Sequence, residues 1–172
     1  ENALILTASN GSYNDELWLV FSEQAEENFE LDRDAWKLLS GTPGLSQLWS
    51  ESPDGKFSID VRPETPTIQL GFTNDEAGFY SISIKEIEGI GKATLEDTKT
   101  NTFHDLSKGA YEFAWDVTND ENRFKLHVNA VGIQEHINEN NILIYAANRQ
   151  IFIKGADEGI IWVSDLTGRI FL

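Results

Sequence analysis

Tyr111-Glu112-Phe113-Ala114-Trp115-Asp116-Val117-Thr118-Asn119-Asp120-Glu121-Asn122-Arg123-Phe124-Lys125-Leu126-His127-Val128 is the stretch whose reading decides the fold. Tyr111, Phe113 and Trp115 alternate with Glu112, Ala114 and Asp116, and Phe124, Leu126 and Val128 alternate with Arg123, Lys125 and His127. Successive side chains on a strand point to opposite faces, so each arm predicts a strand with one apolar face. Thr118-Asn119-Asp120-Glu121-Asn122 breaks the run and predicts a turn, which makes the whole stretch a hairpin. Its large apolar side chains are expected to seat that hairpin over a second sheet.

The same alternation recurs outward along the chain. Leu4 and Leu6, then Leu17, Leu19 and Phe21, flank Asn10-Gly11-Ser12, whose Asn-Gly pair can take the positive φ of a tight turn. The tripeptide also fits a glycosylation acceptor, but turn chemistry suffices to explain it. Asp34-Ala35-Trp36-Lys37-Leu38 is too short for a free-standing helix and reads as a helical turn or a bulged strand. Leu45 to Trp49, and Phe57, Ile59 and Val61, read as strands on either side of the turn Ser52-Pro53-Asp54-Gly55. Ile68 and Leu70, then Tyr80, Ile82 and Ile84, then Leu95, Phe103 and Leu106 mark further short strands. About ten strands before Val128 leave no room for repeated βαβ units.

After Val131 the sequence turns polar, and beyond it Ile142 and Ile144, Ile151 and Ile153, Ile161 and Val163, and Ile170 and Leu172 form brief alternating runs. The expected fold is all-β: a jelly-roll-like or immunoglobulin-like antiparallel β-sandwich over 1–128, a linker at 129–138, and a small strand-rich C-terminal unit over 139–172. That last span is short for a core of its own.

Composition narrows the function. With 172 residues, 40% hydrophobic, the chain can bury a substantial core. Thirteen Lys+Arg against 29 Asp+Glu give a formal net charge of -16, which repels phosphate and argues against nucleic acid or an anionic bilayer as a partner. Basic or neutral partners and divalent cations remain open. Without cysteine there is no disulfide, thiolate metal site or cysteine nucleophile. No stretch reaches the roughly 20 apolar residues of a membrane-spanning helix. The sequence opens on Glu1 without Met, which reads as an upstream region removed or left out.

Candidate chemistry is sparse. Asn-Asp-Glu occurs at 14–16, 74–76 and 119–121, each shortly before a strand, where turn oxygens could hold Ca²⁺; turn punctuation is the plainer reading, because no Asp-x-Asp-x-Asp-Gly loop accompanies them. Paired carboxylates flanking a cleft could hydrolyse a glycoside, but most carboxylates in so acidic a chain solvate its surface. His104, His127 and His136 lie in separate segments, no Gly-x-Ser-x-Gly is present, and no glycine run cradles phosphate, so no catalytic residue, metal or cofactor is expected. Among Trp18, Trp36, Trp49, Trp115 and Trp162, alternation sends Trp115 inward and Trp18 away from Leu17 and Leu19. Trp18 and Trp49 are therefore the candidate ligand-binding residues if the domain stacks indoles on a glycan, against core packing as the ordinary fate of tryptophan.

Several segments recur together in one order. These are Glu16 to Phe21, Asn28-Phe29-Glu30-Leu31 with Asp34-Ala35-Trp36-Lys37-Leu38, Asp54-Gly55-Lys56-Phe57-Ser58-Ile59, Leu70-Gly71-Phe72 with Gly78-Phe79-Tyr80, Leu95-Glu96-Asp97 with Asp105-Leu106, and Asn122 to His127. In that order they resemble a family of Bacteroidetes surface proteins with a β-sandwich module before a type IX (Por) secretion sorting domain. Ile142-Leu143-Ile144-Tyr145, Ile151-Phe152-Ile153-Lys154-Gly155 and Val163 to Arg169 are similar to the opening strands of that sorting domain. The family's sorting domain runs on past the Thr-Gly-Arg turn, whereas this sequence reaches only Leu172, so a partial or shortened unit is expected. The resemblance implies a non-enzymatic, adhesin-like module of a larger cell-surface or secreted protein, acting in adhesion, docking or as a spacer. It implies a surface protein as partner, and the type IX secretion machinery if the sorting unit is complete, and it carries no catalytic residues; a glycan is the partner of the alternative in which Trp18 and Trp49 make a carbohydrate-binding module.

Overall fold

In a computed structural model, the structure describes residues 2–130, 143–147 and 150–154. The chain divides into two compact units, Glu1–Ile133 and Gln134–Leu172.

The first unit is all-β. Its strands are β1 (Asn2–Ser9), β2 (Asn14–Phe21), β3 (Ala35–Trp36), β4 (Gln47–Ser52), β5 (Gly55–Arg62), β6 (Thr67–Thr73), β7 (Gly78–Glu88), β8 (Ile90–Asp97), β9 (Thr102–Asp105), β10 (Tyr111–Trp115) and β11 (Phe124–Ala130). They form one eleven-stranded sheet in the order β10-β7-β1-β2-β5-β4-β6-β11-β8-β9, with β3 paired to β5. The sheet curls until it is nearly closed into a barrel.

Local chemistry made the tight connections. Between β1 and β2, Asn10 Oδ1 accepts the backbone N–H groups of Ser12 (2.9 Å) and Tyr13 (2.8 Å), and Gly11 sits at φ 85°. Leu4, Leu6, Leu17 and Leu19 then face the core. β4 and β5 join through Pro53-Asp54, with Ser52 opposite Gly55. β3 is the expected bulged strand, its register slipping between Ala35 and Trp36.

Three expectations are corrected. The wholly antiparallel sheet is in fact mixed, since β2 and β5 run parallel from Trp18↔Ile59 to Phe21↔Arg62; the long connection through β3 and β4 supplies the crossover that parallel neighbours need. Leu106 lies in a 3₁₀ turn, Leu106–Lys108, instead of a strand. Finally, Tyr111–Val128 is not a hairpin. β10 pairs with β7, whereas β11 lies between β6 and β8. The two strands face each other across the interior, with Phe113 and Phe124 ring centroids 4.7 Å apart. Their apolar faces do what alternation asks, for Phe113, Trp115, Phe124, Leu126 and Val128 are buried, but they meet through side chains and not through a backbone ladder.

Phe72 of β6 is the hub of this interior. Edge-to-face contacts join it to Tyr80 (5.5 Å), Phe113 (5.1 Å), Trp115 (4.9 Å) and Phe124 (6.4 Å), so one ring ties β6, β7, β10 and β11 together.

In the second unit, β12 (Leu143–Ala147) and β13 (Gln150–Lys154) pair antiparallel, Ile144 opposite Ile153. These are the first two expected runs. The linker beyond Ala130 and the runs at Ile161–Val163 and Ile170–Leu172 lie outside the described residues, and β11 continues through Asn129 and Ala130.

Candidate functional site

Two kinds of polar and aromatic constellation stand out: buried arginine–aspartate pairs, and exposed side chains on the strands β2, β5 and β3.

The first pair centres on Arg123, the residue before β11. Its Nε and Nη2 grip Asp97 at the end of β8 in bidentate fashion (2.8 and 2.5 Å), and Nη1 donates to the Ala114 carbonyl of β10 (2.8 Å). The Tyr111 hydroxyl donates to Asp97 Oδ2 at 2.8 Å. Arg123 and Asp97 are 4% and 0% exposed, and the guanidinium also lies over Phe113 and Phe124. Burial alone would raise the Asp97 carboxyl, but the hydrogen bonds and charge of Arg123, with the bond from Tyr111, outweigh it and hold Asp97 below the usual carboxylate range. Burial, and then the Asp97 carboxylate, push the Tyr111 phenol up. Alternation had sent Arg123 outward with Lys125 and His127; it turns inward because Asp97 and the Ala114 carbonyl wait there.

A second buried pair sits on β5. Arg62 Nε and Nη2 hold both oxygens of Asp60 (2.9 and 2.5 Å), and the Ser50 hydroxyl of β4 donates to the same carboxylate. Asp60 is 1% exposed while Ile59 beside it is 36% exposed, so from Ile59 onward β5 inverts the hydropathy pattern, although Phe57 is buried beside the Phe29 and Trp36 rings.

The repeated Asn-Asp-Glu segments act as latches. Asp15 accepts from Leu48 N (2.6 Å) and from the Lys37 ammonium; Asp75 accepts from Gly44 N (2.7 Å); Glu121 accepts from Lys56 (2.8 Å). Asp75 and Glu121 tie turns to a loop and a strand, whereas Asp15 acts from within β2, whose first three residues are Asn14, Asp15 and Glu16. Among the described residues no group of three or more His, Asp or Glu side chains is placed to hold a metal ion. His127 bridges Thr67 and Glu96, His104 meets the Gly109 carbonyl, and His136 lies outside the described residues.

The two candidate glycan tryptophans part company. Trp49 is fully buried. Its ring lies so close to Gly71 of β6 that an added Cβ there would come within 2.0 Å, Lys56 Nζ sits 4.0 Å from the ring centroid, and Nε1 donates to Glu51. Its indole is enclosed and offers no face for a sugar. Trp18 is 43% exposed. Its Nε1 donates to Glu16 (3.2 Å), which also takes Lys85; the Lys85 hydrogen bond, then that of Trp18, lowers the Glu16 carboxyl.

Beside Trp18 lies a surface that the sequence reading passed over. Ile59 is the cross-strand neighbour of both Trp18 and Ala35. The segment after β2 is pinned along β5: Phe29 N to Asp54, Val61 N to Asp34, and Lys37 N to the Lys56 carbonyl. Trp36 stacks on Phe29 at 4.3 Å and meets Phe57 edge-on, yet remains 42% exposed. Leu31, Leu38 and Leu39 are 87%, 85% and 48% exposed. The available signal was their lack of period: Leu31 stands alone between Glu30 and Asp32, and Leu38-Leu39 runs straight into Ser40-Gly41.

Among the described residues no helix is long and apolar enough to cross a membrane. Residues 4–128, more than half of the chain, match the family model described as Domain of unknown function (DUF8693). No curated protein and no solved structure matches the chain.

Proposed function

The chain belongs to this domain family, and we propose that it is a non-enzymatic docking module of a larger extracytoplasmic polypeptide, serving adhesion or holding a spacer position before a secretion sorting signal. The observation that carries the reading is the exposure of Trp18, Ile59 and Trp36 on the neighbouring strands β2, β5 and β3, with Leu31 and Leu38 exposed on the segment that contains β3, because exposed apolar patches mark interaction surfaces. Supporting the non-enzymatic part, the most enclosed carboxylates, Asp60 and Asp97, are each engaged by an arginine in bidentate fashion within the fold. Placement outside the cytoplasm is supported by the ordered resemblance to surface modules with a type IX sorting tail, and it brings the secretion machinery in as a partner. In this reading the curled sheet is sandwich-like, its two facing layers joined through Phe72, Phe113 and Phe124, in the manner of jelly-roll or immunoglobulin-like domains.

Protease shaving of intact cells that express the full-length protein tests the placement. Release of fragments from residues 1–130 before lysis is the expected result, and release only after lysis contradicts it.

One observation favours a second reading. Trp18 presents an exposed indole whose N–H edge is fixed by Glu16 with Lys85 alongside, an apolar ring beside hydrogen-bonding groups that suits a sugar. On a glycan array this version predicts binding that Trp18→Ala abolishes; binding that survives the substitution removes it.

A further inference from the structure

The docking reading leaves the partner's chemistry open, and the surroundings of the exposed face narrow it. Residues 22–39 contain Glu23, Glu26, Glu27, Glu30, Asp32 and Asp34 against Arg33 and Lys37. Both cations are already engaged within the fold: Arg33 donates to the Gln24 carbonyl (2.9 Å) and pairs with Glu30 (3.5 Å), and Lys37 pairs with Asp15. Glu23, Glu26, Glu27 and Asp32 are exposed, and among the described residues no cation pairs with them. Apolar side chains and uncompensated carboxylates thus share one short surface segment that is fastened to β5.

We propose that this face docks a basic polypeptide segment carrying aliphatic or aromatic anchors, the anchors covering Leu31, Trp36 and Leu38 and the Lys or Arg side chains meeting Glu23, Glu26, Glu27 and Asp32. The inference rests on the docking reading and gives it a partner chemistry. Charge complementarity selects the occupant: unpaired surface carboxylates on the same segment as exposed apolar side chains speed encounter with a cationic partner and repel an acidic one. A second copy carries the same net charge of -16 and is repelled at long range. A neutral glycan would use the indoles and could donate hydroxyls to carboxylates, but it complements neither the exposed leucines nor the net negative charge of the segment.

Fluorescence anisotropy on the purified 172-residue chain tests this with three labelled probes: a short peptide of lysines and leucines, an oligolysine of equal charge, and a glutamate-leucine peptide. The lysine-leucine peptide is expected to bind saturably and about tenfold or more tighter than oligolysine, with affinity that falls as salt rises. Leu31→Ser with Leu38→Ser is expected to weaken it by about tenfold or more, and Glu26→Gln with Glu27→Gln to flatten the salt dependence. Phe79→Ser, which alters an 82% exposed phenylalanine on β7, is the control and leaves binding unchanged. Equal affinity for oligolysine, equal weakening by Phe79→Ser, tighter binding of the glutamate-leucine peptide, or no saturation overturns the proposal. So does a dimer in sedimentation that Leu38→Ser dissociates, or a glycan whose binding Leu38→Ser abolishes. A negative result here leaves the shaving experiment unaffected, so failure of the partner assignment is distinguishable from failure of the extracytoplasmic reading.

Discussion

Residues 111–128 and residues 29–39 carry similar apolar side chains and meet opposite fates. In the first segment Phe113, Trp115, Phe124 and Leu126 are each no more than 4% exposed; in the second, Leu31 and Leu38 are more than 80% exposed. The difference lies in what each backbone is bound to. β10 and β11 are laddered into neighbours whose curl aims both apolar faces at Phe72, and Arg123 fastens the two to Asp97. Residues 29–39 meet β5 only through the two-residue strand β3 and a few side-chain bonds, so Leu31 and Leu38 lie off the ladder and only Phe29 and Trp36 find rings to pack on. An apolar side chain stabilises a fold when the ladder directs it inward; without that direction it is left exposed.

The contrast can be broken most forcibly at Arg123. Arg123→Ala leaves the Asp97 carboxylate buried without its cation and is expected to destabilise by about 3–5 kcal/mol in urea unfolding. Arg33→Ala, in the exposed segment, is expected to lie within about 0.5 kcal/mol of the parent. Next comes Gly71→Ala. A methyl at that position runs into the Trp49 indole, and the overpacking is expected to cost about 1–3 kcal/mol, seen as a lower urea midpoint.

Acid sharpens the comparison further. Asp97 is depressed in the folded state, so its contribution is fully present above its unfolded value near 3.9 and is lost as pH falls through the lower folded value. Unfolding free energy followed downward from pH 5 should therefore decline, and the decline should be shallower in Asp97→Asn. An unchanged slope in that variant would remove Asp97 from the account. The smallest expected effect is none: with Asp15, Asp75 and Glu121 of the Asn-Asp-Glu segments engaged by backbone N–H and ammonium groups, EDTA should leave the melting temperature where it was.

Much of this was legible because turns and alternation are local. Asn10-Gly11 and Pro53-Asp54-Gly55 fixed two hairpins from their own residues, and the period of two along Tyr111–Trp115 and Phe124–Val128 gave the core its aromatic wall. Partner choice is not local. Nothing between Asp116 and Asn122 says that β10 will pair with β7 and β11 with β6 and β8, because that choice is made by faces distant in sequence. The parallel alignment of β2 with β5 is of the same kind. On β5 the hydropathy order misleads outright, since Asp60 and Arg62 satisfy each other in the interior and Ile59 is left on the surface. Trp18 could be placed outward from its neighbours, whereas Trp49 could not be placed at all without knowing that it lies against Gly71.

The central claim is that truncating a large apolar side chain to Ala weighs heavily in one region and hardly at all in the other. Urea unfolding of Phe113→Ala and Leu38→Ala beside the parent chain tests it directly. The account predicts a loss of about 3–5 kcal/mol for Phe113→Ala and less than about 0.5 kcal/mol for Leu38→Ala. A loss of several kcal/mol for Leu38→Ala would show that residue 38 belongs to a core, and would contradict the docking face.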